Sequence, residues 1–186
     1  MRLKLALPSL SGPRKSRRLG FLILLALFSA ILPVRPQQKD ELSADEFKMA
    51  FLAKIPPYIT WPEQRPQLVI GILGKDPFNG VLHQLVKDKK VENRELTVRV
   101  FSDPNEAIQC DILFIPADQL PAWQELRKKT ETRGLLTISE KKDFLENGGV
   151  FNLSIDERKL EIKLENVKKA GLEVNSKLLK IAKVYK

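Results

Sequence analysis

Residues 69–80 read VIGILGKDPFNG, and this stretch decides the fold class that the sequence predicts. Leu68 and the apolar residues after it form a near-continuous run up to Gly74, which is typical of a strand buried on both faces. Asp76 then predicts a helix N-cap, and Pro77 predicts the first helical position. A strand, a short turn and a helix in this order form the repeating unit of a parallel α/β sheet.

Upstream of this unit, the sequence predicts one amphipathic helix. Ser43 and Glu46 have the spacing of a capping box, which satisfies two backbone N–H groups at a helix start. Apolar residues then recur at helical spacing as far as Ile55. Pro56-Pro57 is expected to end or bend this helix, because proline lacks an N–H donor and clashes with the preceding turn.

Downstream, three further apolar runs predict strands, and the segments between them predict helices. The predicted strands are residues 96–101, 111–116 and 135–139, and the predicted helices are residues 117–129 and a short helix capped by Ser139. Strands that alternate with helices imply a mainly parallel sheet with right-handed crossovers.

The C-terminal part of the chain has a different period. Apolar and polar residues alternate over residues 151–155 and again over residues 160–164, which predicts an antiparallel hairpin with one solvated face. Asn166 is expected to cap a turn of helix. A terminal helix is expected from about Ser176 to Tyr185.

These elements together predict a Rossmann-like three-layer α/β sandwich. The predicted domain spans residues 43–186 and has a mainly parallel sheet, a C-terminal antiparallel hairpin and a terminal helix. Residues 37–42 are polar and predict a short linker. Residues 1–36 remain as a separate N-terminal segment.

Residues 1–36 have the pattern of a signal peptide. The basic run PRKSRR precedes the apolar run LGFLILLALFSAIL at residues 19–32, which contains no charge. This apolar run is shorter than the about 20 residues that a membrane-spanning helix needs. We expect cleavage between Ala30 and Gln38 and an exported mature protein, with an uncleaved anchor as the alternative.

The formal net charge of +9 is concentrated at the N-terminus. Residues 1–36 contain seven cations and no acid, so residues 37–186 carry a net charge of only +2. No basic stripe with interleaved aromatic residues occurs in the predicted domain. The sequence therefore gives no indication of nucleic-acid binding.

The turn after the first core strand has two interpretations. A phosphate-binding loop requires several glycines, whereas Gly74 is the only glycine between this strand and the next helix. Asp76 would repel a phosphate and Pro77 removes a donor, so a capped turn is favoured over a nucleotide site. If a small ligand binds, Gly74, Asp76 and Phe78 are the candidate crevice, because open α/β sheets bind ligands at the carboxyl ends of their strands.

The chain contains one histidine, His83, and one cysteine, Cys110. This composition excludes the usual Cys/His zinc site, and no serine lies in a nucleophile-elbow pattern. We therefore predict no catalytic residue, no metal and no cofactor, and a protein that is not an enzyme. Cys110 is interpreted as a buried thiol at the start of a strand, with an intermolecular disulfide as the alternative.

An aromatic segment follows the first predicted helix. Tyr58, Ile59 and Trp61 lie beside prolines in a short extended stretch. Large residues of this kind are enriched in protein–protein contacts, so they are candidate partner contacts. The alternative is that they fill one edge of the core.

Seven stretches occur in an order that resembles one family. They are AFLAKIPPYITWP (50–62), LVIGILGKDPF (68–78), QCDILFIP (109–116), GLLTISE (134–140), FLENGGVFNL (144–153), KLEIKLEN (159–166) and NSKLLKIAKVY (175–185). Behind a signal peptide, this pattern is similar to that of the YfiR/HmsC-like family of exported bacterial proteins. The resemblance covers nearly the whole predicted mature chain.

The resemblance implies a periplasmic regulator that represses the sensor domain of an inner-membrane diguanylate cyclase. Such a regulator would limit cyclic di-GMP and biofilm formation through protein contact. The resemblance also implies homodimers and an outer-membrane lipoprotein as a second partner. Redox control, if present, would act between chains, since Cys110 has no internal partner. The alternative is a small-ligand-binding sensor module that acts on another membrane signalling protein.

Overall fold

The structure is a computed structural model that describes residues 42–63, 65–130 and 133–186. The predicted signal peptide and all of the predicted linker except Leu42 lie outside the described residues. Within the described ranges, no helix has the length and apolar character needed to cross a membrane.

The domain is built around an eight-stranded sheet of order β10-β8-β7-β6-β5-β2-β4-β3, and β1 and β9 form a separate antiparallel pair. The strands are β1 Ile59–Thr60, β2 Gln67–Leu73, β3 Lys90–Val91, β4 Arg94–Phe101, β5 Ile112–Ile115, β6 Leu136–Ser139, β7 Phe151–Ser154, β8 Lys159–Lys163, β9 Glu173–Val174 and β10 Lys183–Tyr185. Strands β4, β2, β5, β6 and β7 run parallel to one another, whereas β3 and β8 pair antiparallel with β4 and β7, respectively.

Helices cover the sheet and connect its strands. They are α1 Ala44–Lys54, α2 Val81–Val86, α3 Pro104–Ala107, α4 Leu120–Leu126, α5 Leu164–Lys169 and α6 Ser176–Leu179. Short 3₁₀ turns occupy Pro56–Tyr58, Ala117–Gln119 and Arg127–Lys129. The predicted helix at residues 117–129 is therefore present as α4 flanked by two 3₁₀ turns.

The side chains of the central strands alternate between two cores, as expected for strands buried on both faces. On β5, Ile112 and Phe114 join the core beneath α1, α2 and α6, whereas Leu113 and Ile115 join the core beneath α3 and α4. Gly71 of β2 faces the second core, where an added Cβ would lie 2.7 Å from the Cys110 sulfur. The predicted three-layer α/β fold with a mainly parallel sheet is thus confirmed.

The start of α1 agrees with the prediction. The Ser43 hydroxyl accepts the Glu46 N–H at 3.2 Å, and the Glu46 carboxylate accepts the Ser43 N–H at 2.7 Å. Helix α1 ends at Lys54, and after Ile55 the two prolines begin a 3₁₀ turn. The predicted hairpin is also present, because β7 and β8 pair antiparallel.

The predicted helix start at Pro77 is wrong. The Asp76 carboxylate accepts the N–H groups of Phe78 and Gly80, both at 2.8 Å, and closes a turn instead of capping a helix. Helix α2 starts only at Val81. The Asp-Pro pattern suits a turn as well as a helix N-terminus, since Asp bonds readily to nearby backbone N–H groups.

The predicted capping roles of Ser139 and Asn166 are also wrong. The Ser139 hydroxyl donates to the Ile115 carbonyl at 2.8 Å and accepts the Lys141 N–H at 3.3 Å, but the residues after it form turns and not a helix. Asn166 lies within α5, and its amide donates to the carbonyls of Leu145 and Gly149. Both side chains bond to distant segments, which local sequence spacing does not reveal.

The terminal helix is much shorter than predicted. It covers only Ser176–Leu179, capped by Asn175, and residues Lys183–Tyr185 continue as β10 beside β8. Parallel pairing with β8 gives backbone groups of this segment hydrogen-bond partners within the protein. At the end of an exposed helix, the last backbone groups would bond only to water.

Candidate functional site

The aromatic segment leads from the 3₁₀ turn into β1. Tyr58 ends the turn and is 37% exposed, whereas Ile59 is 4% exposed and Trp61 is 6% exposed. Ile59 pairs with Val174 of β9, and the Tyr58 carbonyl accepts the Asn175 N–H at 2.9 Å. The structure therefore places Tyr58 at the surface beside the start of the C-terminal segment.

Trp61 is fixed within the core by two polar contacts. Its indole Nε1–H donates to the Asp111 carbonyl at 3.3 Å, and the Arg94 guanidinium carbon lies 5.4 Å from the indole ring centroid. The burial of Trp61 and Ile59 favours the interpretation that they fill the edge of the core. Partner contact by these residues and Tyr58 stays a prediction, and only Tyr58 offers a substantial exposed surface.

Asp111 is a buried carboxylate that joins β2 to the start of β5. One oxygen accepts the Val69 N–H at 2.8 Å, and the other lies 4.0 Å from the Arg65 guanidinium. Desolvation raises the pKa of the Asp111 carboxyl. The Val69 hydrogen bond and the charges of Arg65 and Arg94 lower this pKa, but desolvation has the larger effect. No sequence motif identified this residue.

The three candidate crevice residues lie in one loop, but most of their polar groups are hydrogen-bonded within the protein and the Phe78 ring is buried. The Gly74 N–H donates to the Phe101 carbonyl at 2.8 Å, and Gln119 lies against Gly74. Phe78 is buried against Phe114, with ring centroids 5.4 Å apart. Ligand binding by Gly74, Asp76 and Phe78 stays a prediction.

An ion-pair cluster also lies at this end of the sheet. Lys48 of α1 bonds to Asp45 and to Glu140, both at 2.7 Å, and its ammonium lies 5.9 Å from the Phe78 ring centroid. Burial alone would lower the pKa of Lys48, but these carboxylates outweigh it and raise the pKa. Lys48 therefore stays charged and joins α1 to the chain after β6. Sequence reasoning missed this cluster, because Glu140 is far from Asp45 and Lys48 in the chain.

Cys110 is buried between the strands and α3. Its Sγ donates to the Ala107 carbonyl at 2.9 Å, and burial, aided by the nearby Asp111 charge, raises the pKa of the thiol. A protonated, buried thiol is a poor nucleophile. The surroundings favour the interpretation of a structural thiol, and an intermolecular disulfide stays a prediction.

An exposed apolar group at the C-terminus was missed by the sequence analysis. Ile181, Val184 and Tyr185 are 70%, 39% and 37% exposed, and we call these three residues the C-terminal surface. β10 is the outermost strand at its end of the sheet, so one side of its backbone has no strand partner among the described residues. Exposed apolar residues on an edge strand are a common protein-contact surface.

The described residues contain no group of three or more His, Cys, Asp or Glu that could hold a metal ion. In a comparison with protein families, the chain matches a family model described as YfiR/HmsC-like over residues 45–183. No curated protein matches the chain significantly.

Proposed function

Because this chain belongs to the YfiR/HmsC-like family, we propose that it is an exported periplasmic regulator of diguanylate cyclase signalling. It binds the sensor domain of an inner-membrane diguanylate cyclase and represses the enzyme, which lowers cyclic di-GMP and limits biofilm formation. Regulation proceeds by protein contact and requires no catalysis. An outer-membrane lipoprotein and a second copy of the chain are further proposed partners.

The family match over residues 45–183 is the observation that carries this proposal. The C-terminal surface supports a role in protein contact, because Ile181, Val184 and Tyr185 expose apolar area on and just before the edge strand β10. Tyr58 lies beside the segment that leads to this surface, since its carbonyl bonds to Asn175. We therefore propose that Tyr58 and the C-terminal surface contact the cyclase.

The test is capture of membrane proteins on the immobilised mature protein, followed by identification of the captured proteins and measurement of cellular cyclic di-GMP. We expect the wild type to capture a diguanylate cyclase and to lower cyclic di-GMP. Ile181→Glu should reduce capture by at least about tenfold, because it places a charge in an apolar contact. Leu85→Glu is the matched control, since Leu85 is 41% exposed on α2, which packs near the other edge of the sheet.

The proposal fails if the folded wild-type protein captures no diguanylate cyclase. If Ile181→Glu captures the cyclase as well as Leu85→Glu does, the cyclase contact lies elsewhere on the protein. Capture of a membrane signalling protein without a cyclase domain would favour the alternative, in which the chain is a sensor module that acts on another membrane signalling protein.

A further inference from the structure

A polar cleft lies at the opposite end of the sheet from the predicted ligand crevice. It has a volume of about 360 Å³ and is bordered by the end of α4, the chain before β7 and α5. Thr137 and Val150 line it at the amino ends of β6 and β7, and Lys163 lines it at the carboxyl end of the antiparallel β8. This volume lies within the range of small-molecule sites.

The wall of the cleft contains a buried donor with no protein partner. Trp123 is 1% exposed, and its indole Nε1–H makes no hydrogen bond within the described residues. A buried N–H without a partner lowers stability, so it needs an explanation other than folding. The Thr137 hydroxyl oxygen accepts the Val150 N–H at 3.1 Å, which leaves the hydroxyl proton available to donate.

The charged residues of the cleft are predominantly cationic. Four cations line the cleft (Arg127, Lys128, Lys163 and Lys169) together with two carboxylates (Glu146 and Glu165). Glu165 bonds to Lys169 at 2.7 Å, so these two charges largely offset each other. Arg127 uses one guanidinium nitrogen to donate to the Asn147 carbonyl at 3.2 Å and retains further donors.

We propose that this cleft binds a small organic or inorganic anion through a carboxylate or phosphate group. Indole, hydroxyl, guanidinium and ammonium groups are all donors, and a carboxylate or phosphate accepts several hydrogen bonds at once. The anion supplies an acceptor for the buried Trp123 N–H and offsets the surplus positive charge of Arg127, Lys128 and Lys163, which face the single remaining carboxylate Glu146. The proposal does not depend on the identity of any protein partner.

The test measures the midpoint of thermal unfolding and the binding isotherm with inorganic phosphate and with succinate, at constant ionic strength. An anion that binds the folded protein raises the unfolding midpoint with its concentration. Lys163→Gln should weaken binding about tenfold, as expected for the loss of a charged hydrogen-bond donor. Lys159→Gln is the matched control, because Lys159 lies at the other end of β8, outside the cleft.

Trp123→Phe separates ligand binding from folding. Phenylalanine fills most of the same buried space without the N–H, so the variant should fold with a modest loss of stability and bind the anion several-fold more weakly. If only phosphate or only succinate raises the unfolding midpoint, the cleft prefers a phosphate or a carboxylate group, respectively. The proposal is overturned if neither anion raises the unfolding midpoint above the chloride control, or if Lys159→Gln weakens binding as much as Lys163→Gln does.

Discussion

Tyr58 and Trp61 are three residues apart, yet their side chains have different surroundings. Trp61 packs in the core beneath α1, α2 and α6, and its indole donates to the Asp111 carbonyl, whereas Tyr58 is partly exposed. Aromatic residues in an extended segment suit either a core edge or a partner contact, so the sequence left both interpretations open. Ile59 is directed inward because β1 pairs with β9, which lies more than 100 residues later in the chain.

This difference predicts unequal effects of truncation on stability. Trp61→Ala should lower the free energy of unfolding by about 3–5 kcal/mol, because it removes a buried indole and leaves a cavity. Tyr58→Ala should lower it by clearly less, since Tyr58 is 37% exposed and its truncation leaves no enclosed cavity. Urea unfolding of both variants measures the difference. Equal losses would contradict the burial assigned to Trp61.

At the scale of elements, α1 carries its own start signal, and this explains why it could be predicted. The reciprocal bonds of Ser43 and Glu46 depend on residues three apart in the chain. The C-terminal helix also has a start signal, in the Asn175 cap, but its sequence does not show where the helix ends, because Leu178, Ile181 and Val184 suit a helix or a helix followed by a strand. The last residues of the C-terminal segment become β10 because β8 offers an edge.

Removal of the α1 cap should have a limited and local cost. Ser43→Ala is expected to lower the free energy of unfolding by about 1 kcal/mol, because the Glu46 N–H loses its acceptor. Glu46→Gln should cost less, since a glutamine can still accept the Ser43 N–H. Thermal or urea unfolding of the two variants gives the comparison. A larger loss for Glu46→Gln would show that the acidic charge, and not the cap, governs this helix start.

For the whole molecule, the parallel sheet could be predicted because its central strands β2, β5 and β6 are largely apolar runs buried on both faces. The proposed anion cleft could not be predicted in this way. Trp123, Thr137 and Lys163 belong to three elements that become neighbours only through the strand order and the reversal at β8. Each residue alone has an ordinary interpretation as a core aromatic, a strand threonine or a surface lysine.

The pH dependence of global stability contains contributions of opposite sign. Desolvation raises the pKa of Asp111 in the folded protein, so its contribution to stability is fully present below the unfolded pKa of about 4 and is lost as the pH rises through the folded value. A hydrogen bond from Lys169 lowers the pKa of Glu165, so that group contributes stability above the unfolded pKa and loses it as the pH falls through the folded value.

Asp111→Asn should therefore gain stability relative to the wild type as the pH rises from 3 to 7. The asparagine carbonyl can still accept the Val69 N–H, but it carries no charge whose burial costs free energy. Glu165→Gln is the control of opposite sign and should lose stability relative to the wild type over the same range. Urea unfolding at pH 3, 5 and 7 measures both differences. If Asp111→Asn instead loses stability steadily as the pH rises, the attraction of Arg65 and Arg94 outweighs desolvation, and the assigned direction of the Asp111 shift is wrong.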